Sequence, residues 1–172
     1  AGCAVFKHNK FVGWLDEIKT GYLKIVQDNA HGGVISLNLP EDGDSHIVLE
    51  IRKIKTKQRP IVKDDSVKMR INVKANLSVA ELNMGNLQSL MDSAFVDQLE
   101  RLAEEKIKKE IEETIEYVQD KYGADVFMFG VNINRFAPAT WDRIKDDWDE
   151  EFKDMKVDVS VKVKINQIGL MK

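Results

Sequence analysis

A single cysteine, Cys3, excludes any internal disulfide and any metal site built from several thiolates. Histidine is almost as scarce: His8, His31 and His46 are scattered, and no serine or cysteine nucleophile motif stands beside them. The chain has no G-x-S-x-G, no phosphate-binding glycine loop and no H-E-x-x-H. Long apolar runs are missing too. The longest, residues 126–131, is interrupted by Gly130 and falls far short of the roughly 20 residues that span a bilayer. No secretory signal precedes the first strand-like segment. Nor is there an excess of one charge: the net value is -3 with both signs interspersed, so no nucleic-acid footprint and no nucleic-acid partner are expected.

What is present is the composition of a folded domain. Of the 172 residues, 43% are hydrophobic and 32% charged. That suits one domain, 1–172, able to bury about two thirds of its unfolded surface. The organising stretch is residues 92–122. Phe95, Leu99, Leu102, Ile107, Ile111, Ile115, Val118 and Tyr122 recur every three to five residues among charged ones, the stripe of one long amphipathic helix. Asp92 or Ser93 can cap its start and Gly123 can end it in a left-handed conformation. Glu104 with Lys108 and Glu105 with Lys109 have the favoured i,i+4 order.

Before that helix the sequence reads as strands and turns. Residues 4–6 and 11–15 flank the polar turn Lys7-His8-Asn9-Lys10, a hairpin. Asp16 caps a helix of about two turns, weakened by Thr20 and Gly21, and residues 22–26 either continue it or begin a strand. Residues 34–39 and 47–54 form a second hairpin around the turn 40–44. The basic stretch 52–63 contains Pro60 and is expected as a solvated connection or a sheet edge. Residues 67–77 alternate cleanly, with Val67, Met69, Ile71, Val73, Ala75 and Leu77 on one face. Residues 78–91 are expected as a linker or irregular helix, and the role of 83–90 is open.

After the long helix, Val126, Phe129, Ile133 and Phe136 mark a second helix, ended by Pro138. A third helix carries Trp141, Ile144, Trp148, Phe152 and Met155. Val157, Val159, Val161, Val163 and Ile165 form a last one-sided strand, ended by Gly169. The fold class is therefore α+β: a mainly antiparallel or mixed sheet of five or six strands, with three helices on one face and the long one central.

Candidate chemistry is sparse. Asp42, Asp44 and His46 alternate like metal ligands, but aspartate and glycine are what a hairpin turn favours anyway, so no metal is expected. The acidic cluster 146–151 reads as a solvated helix face. Trp141 and Trp148, seven apart, share a face and are expected in the core, whereas an exposed pair would mark an interface. Trp14 sits at a strand-to-helix junction. Ala1-Gly2-Cys3 has the form of a lipoprotein cleavage site without its hydrophobic stretch, so Cys3 is expected as a small buried hydrophobe.

Ala4-Val5-Phe6, the lysine-rich turn and Phe11-Val12-Gly13-Trp14-Leu15-Asp16 resemble the start of the C-terminal domain of the spore germination receptor C subunits, the Ger(x)C lipoproteins of spore-forming Bacilli and Clostridia. Lys108-Lys109-Glu110-Ile111 extends the likeness, as does Tyr122-Gly123-Ala124-Asp125-Val126-Phe127-Met128-Phe129-Gly130. Pro138, Trp141, Asp147-Trp148, Phe152, the valine strand and Gly169-Leu170 complete it. The resemblance implies a non-enzymatic, cofactor-free domain of a longer lipoprotein. Such a protein would be anchored to the outer face of the spore inner membrane by a lipidated cysteine other than Cys3. It would work with an A subunit and a transporter-like B subunit in nutrient-triggered germination. Trp14, Trp141 and Trp148 match the family pattern and are the candidate interaction or fold-signature residues. A nutrient-binding domain and an uncharacterised enzyme are the other readings. The first needs a concave apolar pocket, and the second a cleft gathering His31, His46 and carboxylates.

Overall fold

The computed structural model describes residues 2–39, 46–64, 66–83 and 93–166. Two strands, β1 (Cys3–Lys7) and β2 (Lys10–Leu15), form a hairpin of their own. His8 and Asn9 both take positive φ, 47° and 62°, the conformation of a two-residue turn whose twist matches its strands. The second sheet orders β3 (Val34–Asn38), β4 (His46–Lys63), β5 (Ser66–Asn83) and β6 (Val157–Ile165) side by side. The α+β class expected from the sequence is observed, with six strands divided between the two sheets. Pairing is antiparallel except for β6, which runs parallel to β5. A parallel neighbour requires a long crossover, and the whole helical half of the chain supplies it.

Helix α1 (Glu17–Val26) starts at Asp16, whose carboxylate accepts from the Lys19 N–H at 2.8 Å and from its ammonium at the same distance. Residues 22–26 continue this helix; Gly21 does not end it. Helix α2 (Ser93–Tyr122) buries Leu99, Ala103, Ile107, Ile111, Ile115 and Val118, a row at nearly constant four-residue spacing. Gly123, at φ 51°, closes it by donating to the Val118 and Gln119 carbonyls. Asp92 lies outside the described residues. The helix-surface ion pairs run opposite to expectation: Lys106–Glu110, Lys108–Glu112 and Lys109–Glu113 at 3.6–3.9 Å. Glu104 is drawn away from Lys108 because it bonds β6.

One device, the β-bulge, decides the 52–63 stretch for a sheet edge and corrects the reading of 78–91 as linker or irregular helix. Ile47, Leu49 and Ile51 are buried, then Ile54, Thr56 and Gln58. Parity switches because the register slips between Ile51 and Lys53, leaving Arg52 as the extra residue. The strand therefore continues to Lys63 as a sheet edge, since β3 ends opposite Glu50. Pro60 sits two residues from Gln58 and four from Thr56, whose N–H points away from β5 to the Asp28 carboxylate at 2.8 Å. At that spacing the missing N–H of proline falls on the outer side, where no ladder bond is lost. Residues 78–83 are strand as well, not linker, with a second slip opposite Val48/Leu49 hiding their alternation. The turn 40–44, with Asp42 and Asp44, most of the 83–90 stretch, and Gly169 lie outside the described residues.

The expected third helix is three pieces: α4 (Pro138–Ile144), a 3-10 turn (Lys145–Asp147) and α5 (Trp148–Asp154). Ahead of them, α3 (Phe129–Phe136) ends at Ala137, and Pro138 occupies the first turn of α4, where no N–H is needed. The buried face of the large sheet meets α2. Phe127, Phe129 and Phe152, all fully buried, fill the end of the core under α5.

Candidate interaction surface

The β1–β2 hairpin leaves a row of apolar side chains in solvent. Phe6 is 58%, Phe11 51% and Trp14 64% exposed, with Val12 beside them. The rings touch edge to face, Phe6 to Phe11 at 5.9 Å and Phe11 to Trp14 at 5.6 Å. Edge-to-face contact between exposed rings holds a row rather than three independent side chains. The backbone beneath is fixed from α2: the Tyr122 hydroxyl donates to the Trp14 carbonyl at 2.8 Å. A Cβ on Gly13 would stand 2.5 Å from that tyrosine ring, so glycine is required for the approach.

Phe6 also walls a hollow of about 360 Å³ that continues the row. Its opposite wall is the tryptophan pair, Trp141 against Trp148 at 5.3 Å between ring centroids. Both rings pack on the core with one side and face the hollow with the other, so they are half-buried, not interior as the sequence suggested. They close over Gly130, where any Cβ would lie 2.9–3.0 Å from ring carbons. Beneath them the Asp125 carboxylate accepts from the N–H groups of Phe129 at 3.0 Å and Gly130 at 2.8 Å, starting α3. Burial pushes its pKa up, while these N–H groups and the Trp148 indole pull it back. At the rim Asp149 meets the Lys7 ammonium at 3.0 Å and His8 Nε2 at 2.8 Å. The hydrogen bond with His8, then Lys7, holds its carboxyl below the usual range against desolvation. This contact fastens the hairpin to α5.

A second hollow, a groove of about 710 Å³, runs between α1, the loop before β3, and α2. Ile25, Ile35 and Ile51 are among its apolar groups, and Tyr22, His31 and Glu110 among its polar ones. Burial, with Glu110 nearby, pushes the Tyr22 hydroxyl up to about 12. His46 is not part of this groove, because it lies on β4 opposite Asn38 and Asn83. Among the described residues no group of three histidine, cysteine or carboxylate side chains could hold a metal. Cys3 is half-buried, not interior. No described helix is long and apolar enough to cross a membrane.

Sequence reasoning put Trp141 and Trp148 on one face, and the structure brings them together, though across two short helices and not one. Trp14 stands apart, linked to that hollow through Phe11 and Phe6. The exposure of Phe6 and Phe11 was missed. Gly130 was quoted within a motif, and its role needed the packing to become visible.

Comparison with known proteins agrees with this architecture. Residues 1–169 match the family described as Spore germination B3/ GerAC like, C-terminal. The chain is 28% identical over its whole length to the Spore germination protein YndF of Bacillus subtilis (strain 168), covering 42% of that protein. It is 30% identical over 94% of its length to the Spore germination protein B3 of the same organism, covering 43% of it. The structure is similar to that titled Crystal Structure of the GerBC protein, with a TM-score of 0.81 and 25% identity, over 91% of this chain and 48% of that one. The chain thus spans less than half the length of each of these relatives.

Proposed function

The chain belongs to the spore germination B3/GerAC-like C-terminal family, and on that premise we propose that it is the C-terminal domain of a germinant receptor C subunit. In this reading it acts in spore germination by docking onto the receptor's A and B subunits, without chemistry. The longer protein carries the lipid anchor outside this stretch and sits on the outer face of the spore inner membrane. The observation that supports docking is the aromatic row Phe6, Phe11 and Trp14, which leads into the Trp141–Trp148 hollow. Contiguous exposed aromatics are the anchors of protein interfaces.

The test is capture of detergent-solubilised A and B subunits by the immobilised domain. Phe11→Ser and Trp14→Ser remove exposed rings, so the fold should persist. At least about a tenfold loss of capture is expected from each, the effect of a modest hot spot. Capture that is unchanged in both variants would overturn the docking reading.

The groove beside Tyr22 favours a second reading, a binding site for a small nutrient, since it combines an apolar floor with convergent polar groups. An NMR titration with amino acids, sugars and nucleosides separates the two. Saturable shifts confined to α1 and β3 support the nutrient site; silence across the panel removes it.

A further inference from the structure

Every second residue of β4 from Lys53 to Arg59 is basic and exposed, and the neighbouring strands continue the pattern on the same face of the sheet. The register seats Lys55 opposite Lys74 on β5, and Lys74 opposite Lys162 on β6. Three ammonium groups therefore stand in one row, with adjacent strands about 4.8 Å apart. Like charges directly opposite one another destabilise a sheet. Carboxylates meet this row only at its ends, Asp28 reaching Lys55 at 3.5 Å and Glu104 reaching Lys162 at 3.5 Å, while farther along the face Asp158 pairs with Arg70 at 3.3 Å and Lys68 at 3.9 Å. Lys53, Lys57 and Lys74 have no ion pair among the described residues. A chain with a net charge of -3 has thus collected cations on the face of its four-stranded sheet that the helices leave open.

We propose that this open face lies against an anionic lipid bilayer, its lysines meeting the headgroup phosphates. The choice of partner follows from what the face does and does not offer. Protein interfaces need an apolar or aromatic centre and are depleted in lysine; β4 from residue 53, β5 up to residue 76, and β6 contribute no aromatic side chain, and the Phe136 ring of α3 meets the face only at its rim, 4.0 Å from the Arg59 guanidinium. Single-stranded nucleic acid needs successive stacking platforms, and duplex readout needs an element that enters a groove; the face offers one ring, Phe136, already covered by Arg59, and no protruding element. Lysine is a compact, hydrated point charge on a flexible stem. An array of such charges suits a plane of mobile headgroups, which imposes no fixed geometry. The aromatic hairpin is fastened to α2 and α5, so lipid and subunit contacts would use different surfaces. This inference is independent of the docking reading.

The test is co-sedimentation of the 172-residue chain with vesicles of phosphatidylcholine alone, or with about one third phosphatidylglycerol. Binding to the anionic vesicles only, falling as salt rises from about 0.05 to 0.5 M, is the expected result. Lys53→Glu, Lys57→Glu and Lys74→Glu combined should reduce it at least tenfold with an unchanged melting temperature. The milder glutamine triple serves if the glutamate one does not fold. Absence of binding, equal binding to neutral vesicles, or a folded triple variant that binds as before would each overturn the proposal. Tighter retention by duplex DNA than by vesicles would overturn it in favour of a nucleic-acid partner.

Discussion

The carboxylate of Glu104 on α2 accepts a hydrogen bond from the backbone N–H of Val163 on β6 at 3.0 Å. One turn earlier Glu100 does the same for Ile165 at 2.9 Å and also binds the Lys164 ammonium at 2.9 Å. The long helix thus satisfies an open sheet edge with side chains where a further strand would otherwise pair. Such edges are liabilities that natural proteins cover. Glu100→Ala should cost about 1–3 kcal/mol in denaturant unfolding, the range for a partly buried charge-assisted bond. The double variant with Glu104→Ala should in addition self-associate, as read by light scattering.

Gly130 reverses an ordinary rule. Glycine to alanine within a helix usually gains about 0.5–1 kcal/mol. Here the new methyl would lie 2.9 Å from Trp141 and 3.0 Å from Trp148, both rigid rings. Gly130→Ala should instead destabilise by about 1–3 kcal/mol, the cost of overpacking. Its tryptophan emission should shift to the red as the pair opens to water. Unchanged emission with a raised melting temperature would refute the packing described.

Asp149 gives a pH dependence of definite sign. Its folded pKa lies below the ordinary 3.8, so the stabilisation it supplies is complete above that value. It is lost as pH falls through the lower folded value. The hairpin should therefore loosen from α5 only in that acid range, seen as collapse of the chemical-shift differences at Lys7 and His8. In an Asp149→Asn variant those differences should be small at neutral pH as well.

Tyr22 should ionise after Tyr117. Its hydroxyl is pushed up to about 12 by burial and then by Glu110, whereas Tyr117, hydrogen-bonded to Lys121, is shifted down. Because the folded value is raised, the stability linked to Tyr22 is intact below about 10, the unfolded value, and disappears as pH climbs through 12. Ultraviolet titration of wild type against Tyr22→Phe isolates the late step. A variant that keeps this step would assign it elsewhere.

Local periodicity was legible throughout. The stripe of α2, the alternation from Met69 to Leu77 and from Val157 to Ile165, and the Lys7–Lys10 turn all follow from spacing of two or four residues. Wherever a bulge breaks that spacing, the reading fails. Arg52 hides the continuation of β4 through Pro60, and the slip near Val79 hides the end of β5. The basic face was illegible for a related reason. Along the chain each of its lysines is separated from the next by a buried residue, and only cross-strand register brings Lys55, Lys74 and Lys162 into one row. Trp14 was named from sequence, but its exposure depends on which face of a two-stranded sheet the rest of the molecule covers, and periodicity carries no such information.

The parallel pairing of β5 with β6 sets an order on folding. The hairpins β1–β2 and β4–β5 close over short turns and can form early, whereas Arg70 meets Asp158 across 88 residues. Closing a loop of that length costs chain entropy that its own contacts repay only at the end. During synthesis both hairpins and α2 emerge first, and β5 keeps one side unpaired until residues 157–165 arrive. The last strand therefore acts as a latch. A chain truncated before it would retain most of its local structure yet lack the strand that closes the core.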